Sequence, residues 1–313
     1  MAEPDRIIIP IICGPTGSGK TSAAVKLSSL FAVDIISADS RQIIRHLDIG
    51  TAKPGADEQK AVNFRLIDII EPGERYSAYR FIEDANRAID LTLTAGRTPV
   101  VVGGTGLYLR ALSEGVVEIE NEDPSIRKRL EDELDAIGPT KMHERLRSVD
   151  PFEADRIHPH NKARLIRALE IYHLTGKPKS ELVAEGKYRK GDHTYNYFCL
   201  IPPREVLYRQ IDDRVDEMIS AGLVREVETL VGQGLKDKIR KSNVIGYNEI
   251  LDYLDGNLSL VTVVDTIKMN SRRYAKRQLT WFRRQTEARY FESEEPLIEA
   301  VGELCSHWPE RPI

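Results

Sequence analysis

Residues 14–21 read Gly14-Pro15-Thr16-Gly17-Ser18-Gly19-Lys20-Thr21 and follow directly on the apolar run Ile7–Cys13. Gly17 and Gly19 carry no Cβ, so the backbone N–H groups of this turn are free to point inward at oxygens, the geometry of a phosphate cradle. A helix opening near Lys20 adds the positive end of its dipole. Lys20 supplies an ammonium for the outer phosphate, and Thr21 a hydroxyl for a phosphate oxygen or a magnesium ion. Glycine-rich turns also occur without that purpose, but a strand before and a helix after mark this one as a P-loop. Such a loop does not tell a nucleotide from another di- or triphosphate.

Two further segments carry polar side chains at the ends of apolar runs. Asp34-Ile35-Ile36-Ser37-Ala38-Asp39-Ser40-Arg41-Gln42 is a strand pattern ending in a carboxylate, a hydroxyl and an amide. In a doubly wound sheet the carboxyl ends of strands gather at the ligand crevice, which puts Asp39 beside the cradle. Aspartate and serine after a strand also cap the following helix, and spacing alone leaves the two roles open. Thr98-Pro99-Val100-Val101-Val102 ends in Gly103-Gly104-Thr105-Gly106, where many P-loop NTPases place a magnesium-holding aspartate. Its absence disfavours a nucleotide-hydrolysing motor and leaves small-molecule kinases in contention.

These residues need a frame to hold them. Strand-like runs at Ile7–Cys13, Asp34–Ser37, Arg65–Ile70, Pro99–Val102 and Tyr197–Ile201 alternate with helical patterns, as in an α/β fold with a mostly parallel sheet flanked by helices. From residue 118 to 194 the pattern becomes helical throughout. Asp123-Pro124 reads as an N-cap with proline at the first helical position, Ile126, Leu130 and Leu134 recur at i+4, and a second start falls at Gly138-Pro139. Leu165, Ile166, Leu169 and Tyr172 form a stripe closing at Gly176. The expected organisation is a P-loop core over 1–117, an inserted all-helical lid over 118–194, and a second core part over 195–313 with helices at Val206–Ile219 and Ile267–Arg284. The 313 residues, 41% hydrophobic and 30% charged, suit an ordinary globular chain, and no apolar run is long enough to span a membrane. Acids in Met1-Ala2-Glu3-Pro4-Asp5 are unlike a secretory or transit peptide, so a cytoplasmic home is expected. Cys13, Cys199 and Cys305 are scattered and read as buried reduced thiols; His158 and His160 read as loop residues with no third ligand in view.

The net charge of −4 argues weakly against nucleic acid, yet Arg272, Arg273, Lys276, Arg277, Arg283 and Arg284 crowd into one helix with no acid from 272 to 284. Like charges at i,i+4 repel, and the phosphates of an RNA would relieve them. Tyr274, Trp281 and Phe282 read as packing that helix down.

Taken in order, Gly14–Thr21, Asp39–Gln42, Asp48-Ile49-Gly50-Thr51-Ala52-Lys53-Pro54, Val102–Tyr108, Arg164–Glu170, Ile245-Gly246-Tyr247 and Ala275–Arg283 resemble the tRNA dimethylallyltransferases, also called tRNA isopentenyltransferases. The resemblance spans residues 7–284 and, with no zinc finger following, is to the bacterial type. It implies transfer of a dimethylallyl group from dimethylallyl diphosphate to the exocyclic N6 amine of the adenosine on the 3′ side of the anticodon, with diphosphate released. The P-loop residues Gly14, Pro15, Thr16, Gly17, Ser18, Gly19, Lys20 and Thr21 would then hold the donor's diphosphate, joined by Arg214 and by Mg2+ on Thr21. From the residues alone Arg214 reads as a helix-surface side chain paired with Asp213 or Glu217.

On the same basis Asp39 is the general base, Lys20, Thr21 and Arg214 act on the leaving group, and Ser40 and Gln42 hold the flipped adenine by its edge. Further tRNA contacts are implied at Arg41, Thr105, Arg127, Lys162, Ala163, Arg164, Leu165, Ile166, Arg167, Asn243, Val244, Ile245, Gly246, Tyr247, Asn248, Lys276 and Arg277. Arg127 reads equally well as one charge on a solvated helix. Ala163 and Asn248 depart from the family, which often carries a basic or amide side chain at the first and a basic one at the second. The partners implied are the tRNA anticodon stem-loop and dimethylallyl diphosphate, without a membrane, and a monomer is expected.

Overall fold

The computed structural model describes residues 7–117, 123–285 and 288–306. Along the chain, β1 (Ile8–Cys13) leads into α1 (Lys20–Ser28), β2 (Val33–Ser37), α2 (Ala56–Ala61), β3 (Phe64–Arg65), α3 (Ala78–Thr94), β4 (Thr98–Gly103) and α4 (Gly106–Glu114). β5 (Val116–Val117) then precedes α5 (Pro124–Val149), α6 (Pro151–Arg156), α7 (Lys162–Thr175), α8 (Lys179–Ala184) and β6 (Tyr188–Arg189). β7 (Thr194–Leu200) follows, then α9 (Arg204–Ser220), α10 (Leu223–Gly232), α11 (Lys236–Ser242), α12 (Tyr247–Leu254), α13 (Leu260–Gln285), β8 (Ala288–Phe291) and α14 (Glu294–Ser306). The described residues form two compact units, one built from the chain up to Glu114 and from Gly191 onward, the other from Gly115–Lys190.

The first unit holds a six-stranded sheet in the order β3-β2-β4-β1-β7-β8, every neighbouring pair parallel. Its central strands are buried on both faces, so they read as continuous apolar runs, not as alternating ones. Ile9, Ile11, Val101 and Phe81 fill one side and Ile12, Leu27, Val100 and Leu200 the other. A further apolar cluster joins Ile43, Ile44 and Leu47 to Val215, Leu223, Tyr247, Ile250 and Val263 from the later helices. Register decides where the loops fall: Cys13 lies opposite both Gly103 and Cys199, and Ser37 opposite Val102. The carboxyl ends of four strands are therefore level.

The expected strand over Arg65–Ile70 is confined to Phe64–Arg65. Leu66 and Asp68 take positive φ angles of 61° and 55°, which turn the chain out of the sheet. Ile69 and Ile70 then donate to the Ile43 carbonyl instead. β8 was not legible in the sequence and extends the far edge beside β7. The long basic helix begins at Leu260, earlier than Ile267.

In the second unit the Asp123 carboxylate caps α5 by accepting from Ser125 N–H at 2.8 Å with Pro124 at the first turn, and Gly138 (φ 81°, ψ 164°) breaks the helix before Pro139 restarts it. Asn161 and a left-handed Gly176 bound α7. Leu130, Leu134, Met142, Leu146, Leu165 and Leu169 form the core. An antiparallel ribbon of β5 and β6 also belongs to this unit, so it is not helical throughout as expected. Cys13, Cys199 and Cys305 are buried free thiols.

Asp34 is fully buried in β2 and takes hydrogen bonds from Arg97 Nε (2.6 Å), Arg65 Nη2 (2.9 Å), Asn63 Nδ2 (3.1 Å) and Thr92 Oγ1 (3.2 Å). Burial pushes its carboxyl pKa up, but the donors from Arg97, Asn63 and Arg65 outweigh it and hold the acid below its ordinary value. A depressed carboxylate pKa stabilises the fold at neutral pH, and that contribution is lost as pH falls below ~4 through the folded value. Asp34→Ala leaves two half-buried guanidinium groups unpaired and is expected to cost about 3 kcal/mol in urea unfolding at pH 7. The gap from wild type should narrow toward pH 3.

Candidate active site

The P-loop takes the form expected of it. Gly17 and Gly19 adopt φ of 80° and 91°, which L side chains rarely reach, and α1 starts at Lys20. Ser18 N–H returns to the Pro15 carbonyl at 3.3 Å. Thr16 N–H is taken by the Gln278 side chain at 2.8 Å, leaving the amides of Gly17 and Gly19–Thr21 to face an anion.

Two cations converge there. Lys20 Nζ donates to the Pro15 carbonyl at 3.0 Å, and Arg214 from α9 donates through Nη2 to the Thr16 hydroxyl. Burial lowers the Lys20 pKa to about 8; the Asp39 charge works against that shift and the Arg214 charge adds to it. Arg214 is likewise lowered by burial, against Asp39 and Glu217. Its Nε is buried with no hydrogen-bond partner among the described residues, as is Ser18 Oγ. A buried guanidinium nitrogen without an acceptor is costly, and an anion in the cradle would supply one. Arg214 is therefore not the surface-paired helix residue that its neighbours suggested.

Two cavities meet at this point. The larger, about 980 Å³, is lined by Thr16, Gly17 and Gly19 to Ser22, by Asp39, Gln42, Lys53 and Phe64, and by Arg214 and Glu217. The smaller, about 310 Å³, is lined by Arg41, Asn243, Ile245, Asn248, Asn270, Tyr274 and Arg277. Thr16, Asp39, Thr51, Arg214 and Met218 line both.

The loops after β2 and β4 brace one another. Ala38 N–H bonds to the Val102 carbonyl, Thr105 N–H to the Ala38 carbonyl, and Ser40 N–H to Thr105 Oγ1 at 2.9 Å. Asp39 Oδ1 accepts from Arg41 N–H at 2.8 Å, and Arg41 Nη1 reaches the Ser242 carbonyl at 2.9 Å. Thr105 Oγ1 lies 3.3 Å from Ser40 Oγ, so its role here is to fix the Asp39 turn. The Gln42 amide accepts from Ser37 Oγ and donates to the Ala52 carbonyl, and the residue lines the larger cavity. It holds the loop around Ala52 and stands beside Asp39 in the larger cavity.

Segment 243–248 divides. Val244 and Tyr247 are buried in the apolar core, the Tyr247 hydroxyl accepting from Gly50 N–H at 3.2 Å and donating to Glu226. A side chain on Gly50 would strike the Tyr247 ring, so these two sequence blocks are packed against each other. Those two side chains cannot contact RNA, whereas Asn243, Ile245 and Asn248 line the smaller cavity and Gly246 caps α12. In α7 the apolar Leu165 and Ile166 face the core of their unit and are ruled out as side-chain contacts for the same reason, while Lys162, Ala163 and Arg164 are exposed. Arg127 pairs with Glu131 at 3.3 Å and Glu170 at 3.6 Å, and Arg167 with Glu170 at 2.8 Å. Their charges are partly neutralised within the unit.

On α13, Lys276 and Arg277 are exposed, Arg277 lying over the Tyr274 ring at 5.6 Å, while Arg272 is committed to Asp212. Tyr274 does more than pack: it lines the smaller cavity, and burial, then the Asp39 charge, raise its phenol to about 12. Gln278, unnoticed in the sequence, is buried and bonded at both ends of its amide. The available signal was a polar residue on the face of α13 otherwise filled by Ala275 and Phe282.

Thr21 lines the larger cavity with Asp39, and among the described residues no cluster of three His, Cys, Asp or Glu could hold a metal unaided. One hydroxyl beside a phosphate cradle suits a magnesium ion held chiefly by phosphate oxygens and water.

A family model described as IPP transferase matches residues 42–285, and one described as isopentenyl transferase matches residues 7–68. A tRNA dimethylallyltransferase of Syntrophobacter fumaroxidans is 42% identical over 290 residues, 92% of this chain and 85% of that one. One of Thermotoga maritima is 43% identical over 296 residues, 95% of each. Among solved structures, the full-length tRNA isopentenylpyrophosphate transferase of Bacillus halodurans superposes with a TM-score of 0.68 at 37% identity, covering 96% of this chain and 97% of that one. A eukaryotic dimethylallyltransferase acting on tRNA gives 0.72 at 30% identity over 88% of this chain and 69% of its own.

The state of Lys20 gives a pH test. Its ammonium is present below pH about 8 and is lost as pH rises through that value. Inorganic pyrophosphate, titrated calorimetrically from pH 6 to 9.5, should bind wild type progressively more weakly above pH 8 relative to Lys20→Met. That variant should bind weakly throughout, without the inflection.

Proposed function

The chain belongs to the IPP transferase family, and from that premise we propose that it transfers the dimethylallyl group of dimethylallyl diphosphate to the N6 amine of the adenosine 3′ to the anticodon in tRNA. The observation that carries this reading is the meeting of two cavities at Asp39, Arg214 and Thr16. One has a cationic floor suited to a diphosphate, the other an amide- and aromatic-lined wall suited to a single base.

In the reaction the N6 nitrogen attacks the allylic C1 carbon, the C1–O bond breaks, and diphosphate departs with the bonding pair. Negative charge grows on the bridging oxygen, so the largest gain comes from donors already aimed at it. Lys20, Arg214 and the N–H groups of Gly17 and Gly19–Thr21 are those donors. Thr21 with the diphosphate oxygens would hold a magnesium ion, whose charge, when bound, further steadies the leaving group. As the new bond forms, the N6 proton becomes acidic and passes to the Asp39 carboxylate. The Asp39 turn is held by Arg41 N–H and by the Ser40–Thr105 contact, so the carboxylate is placed in advance. Tyr274 supplies an aromatic face in the base cavity, and Asn243, Ile245 and Asn248 complete its wall. Lys276, Arg277 and the exposed basic residues of α7, Lys162 and Arg164, offer charge for RNA phosphates. Among the described residues no helix is long and apolar enough to cross a membrane. From the family we further propose a cytoplasmic enzyme that acts as a monomer.

Unmodified tRNA with adenosine beside the anticodon, incubated with radiolabelled dimethylallyl diphosphate, should acquire label; phosphate transfer from ATP to a small metabolite with no label in RNA would favour a kinase instead. Asp39→Asn should lower kcat by about 100-fold or more while pyrophosphate affinity stays within threefold, and parallel loss of both would contradict a base role. Replacing Lys276 and Arg277 together by glutamine removes two charges and keeps helix propensity. The slope of log affinity for tRNA against log salt should become shallower by about 1.5, and an unchanged slope would assign these residues to the protein surface alone.

A further inference from the structure

Gln278 stands on the buried face of α13, 7% exposed, and its amide is used at both ends. Oε1 accepts from Thr16 N–H in the P-loop at 2.8 Å, 262 residues away, and Nε2 donates to the Gly104 carbonyl at 2.8 Å, 174 residues away. The fit is close: a Cβ on Gly104 would lie 2.5 Å from Gln278 Nε2 and 3.0 Å from the Gly14 carbonyl, and one on Gly106 would lie 2.4 Å from the Trp281 ring. One turn of α13 is thus seated in the glycine loop that follows β4, with a single side chain joining that loop to the cradle. Thr16 in turn accepts from Arg214 through its hydroxyl. Gln278 therefore fixes the residue that orients Arg214, and from the other end it fixes the loop carrying Thr105, which holds the Asp39 turn.

We propose that Gln278 is a positioning residue that sets the P-loop for diphosphate binding and holds it in register with the Asp39 turn, although it touches neither substrate. The proposal rests on the transferase reading only for the identity of the donor; the cradle and the bridge are independent of it. Only a group that accepts on one side and donates on the other fits. An ionised carboxylate keeps the bond from Thr16 N–H but opposes the Gly104 carbonyl with a second acceptor, whereas a protonated carboxyl restores the donor.

The test uses the full chain and inorganic pyrophosphate as probe, with calorimetric titration of wild type, Gln278→Leu and Gln278→Glu at pH 8 and pH 6, thermal melts and tRNA affinity in parallel. Gln278→Leu should weaken pyrophosphate binding at least tenfold at both pH values. Gln278→Glu should weaken it at least tenfold at pH 8 and recover to within about threefold of wild type at pH 6, each ratio being taken against wild type at the same pH. Affinity for tRNA should stay within twofold. In the transfer assay the donor KM should rise and kcat fall together, since both the cradle and the base turn lose their brace. Pyrophosphate affinity equal to wild type in both variants, or a Gln278→Glu deficit of the same size at both pH values, would reduce Gln278 to packing and overturn the proposal. Because pyrophosphate binding involves no RNA and no prenyl group, a wild type that binds it but transfers no label would sink the transferase reading and leave the bridge standing.

Discussion

Two cations share one desolvated wall, and the rest of the site follows from how that repulsion is contained. Lys20 and Arg214 each lose hydration, the Arg214 charge adds to the cost of charging Lys20, and Asp39 offsets part of that cost for both. Neutralisation of the pair is incomplete, for among the described residues Arg214 Nε has no acceptor. Such an arrangement is strained toward an anion. An anion seated there would meet donors that are fixed in advance. The carboxylate that tempers the two cations stands on the boundary shared with the second cavity, so the group that helps keep them charged is also the one available to accept a proton.

Much of this was legible in the sequence because it is local. A strand, a glycine turn and a helix over residues 8–28 are a contiguous pattern, and caps such as Asp123-Pro124 and Asn161 need only their immediate neighbours. What escaped is what depends on distant partners. Leu66 and Asp68 bend an apolar run out of the sheet because Ile43 offers a competing carbonyl, and no periodicity reveals that. Among the described residues β8 pairs with β7 alone and is little buried, so its four residues carry no strong pattern. The same contrast holds in the site. The cradle residues and Asp39 could be located by motif, and Arg214 only through the family resemblance. Motif blocks do not say which side chains of a run point outward, however, so Leu165, Ile166, Val244 and Tyr247 entered as contacts although they are core. The bond from Gln42 to the Ala52 carbonyl escaped as well, because that carbonyl lies on a loop with no secondary structure to predict it.

The glycines after β4 have a corresponding explanation. Their purpose could be taken as close approach of backbone to ligand, but at Gly104 and Gly106 the approaching groups are Gln278 and Trp281 of the protein itself. The segment is a socket for a helix. Through it the surface that presents Lys276 and Arg277 and the P-loop belong to one connected piece of backbone and side chain.

That connection has a cost during synthesis. The cradle begins at residue 14, yet its second cation arrives at 214, its brace at 278, and the carboxylate that bonds Ser22 and Lys26 at 294. A ribosome must therefore pass residue 294 before the first loop can be completed. At roughly 5–20 residues per second the exposed N-terminal third waits many seconds for its partners, and parallel strands cannot shorten the wait by pairing locally. Anion-binding competence is consequently a late event for the nascent polypeptide, appearing only when α13 and α14 have emerged and docked.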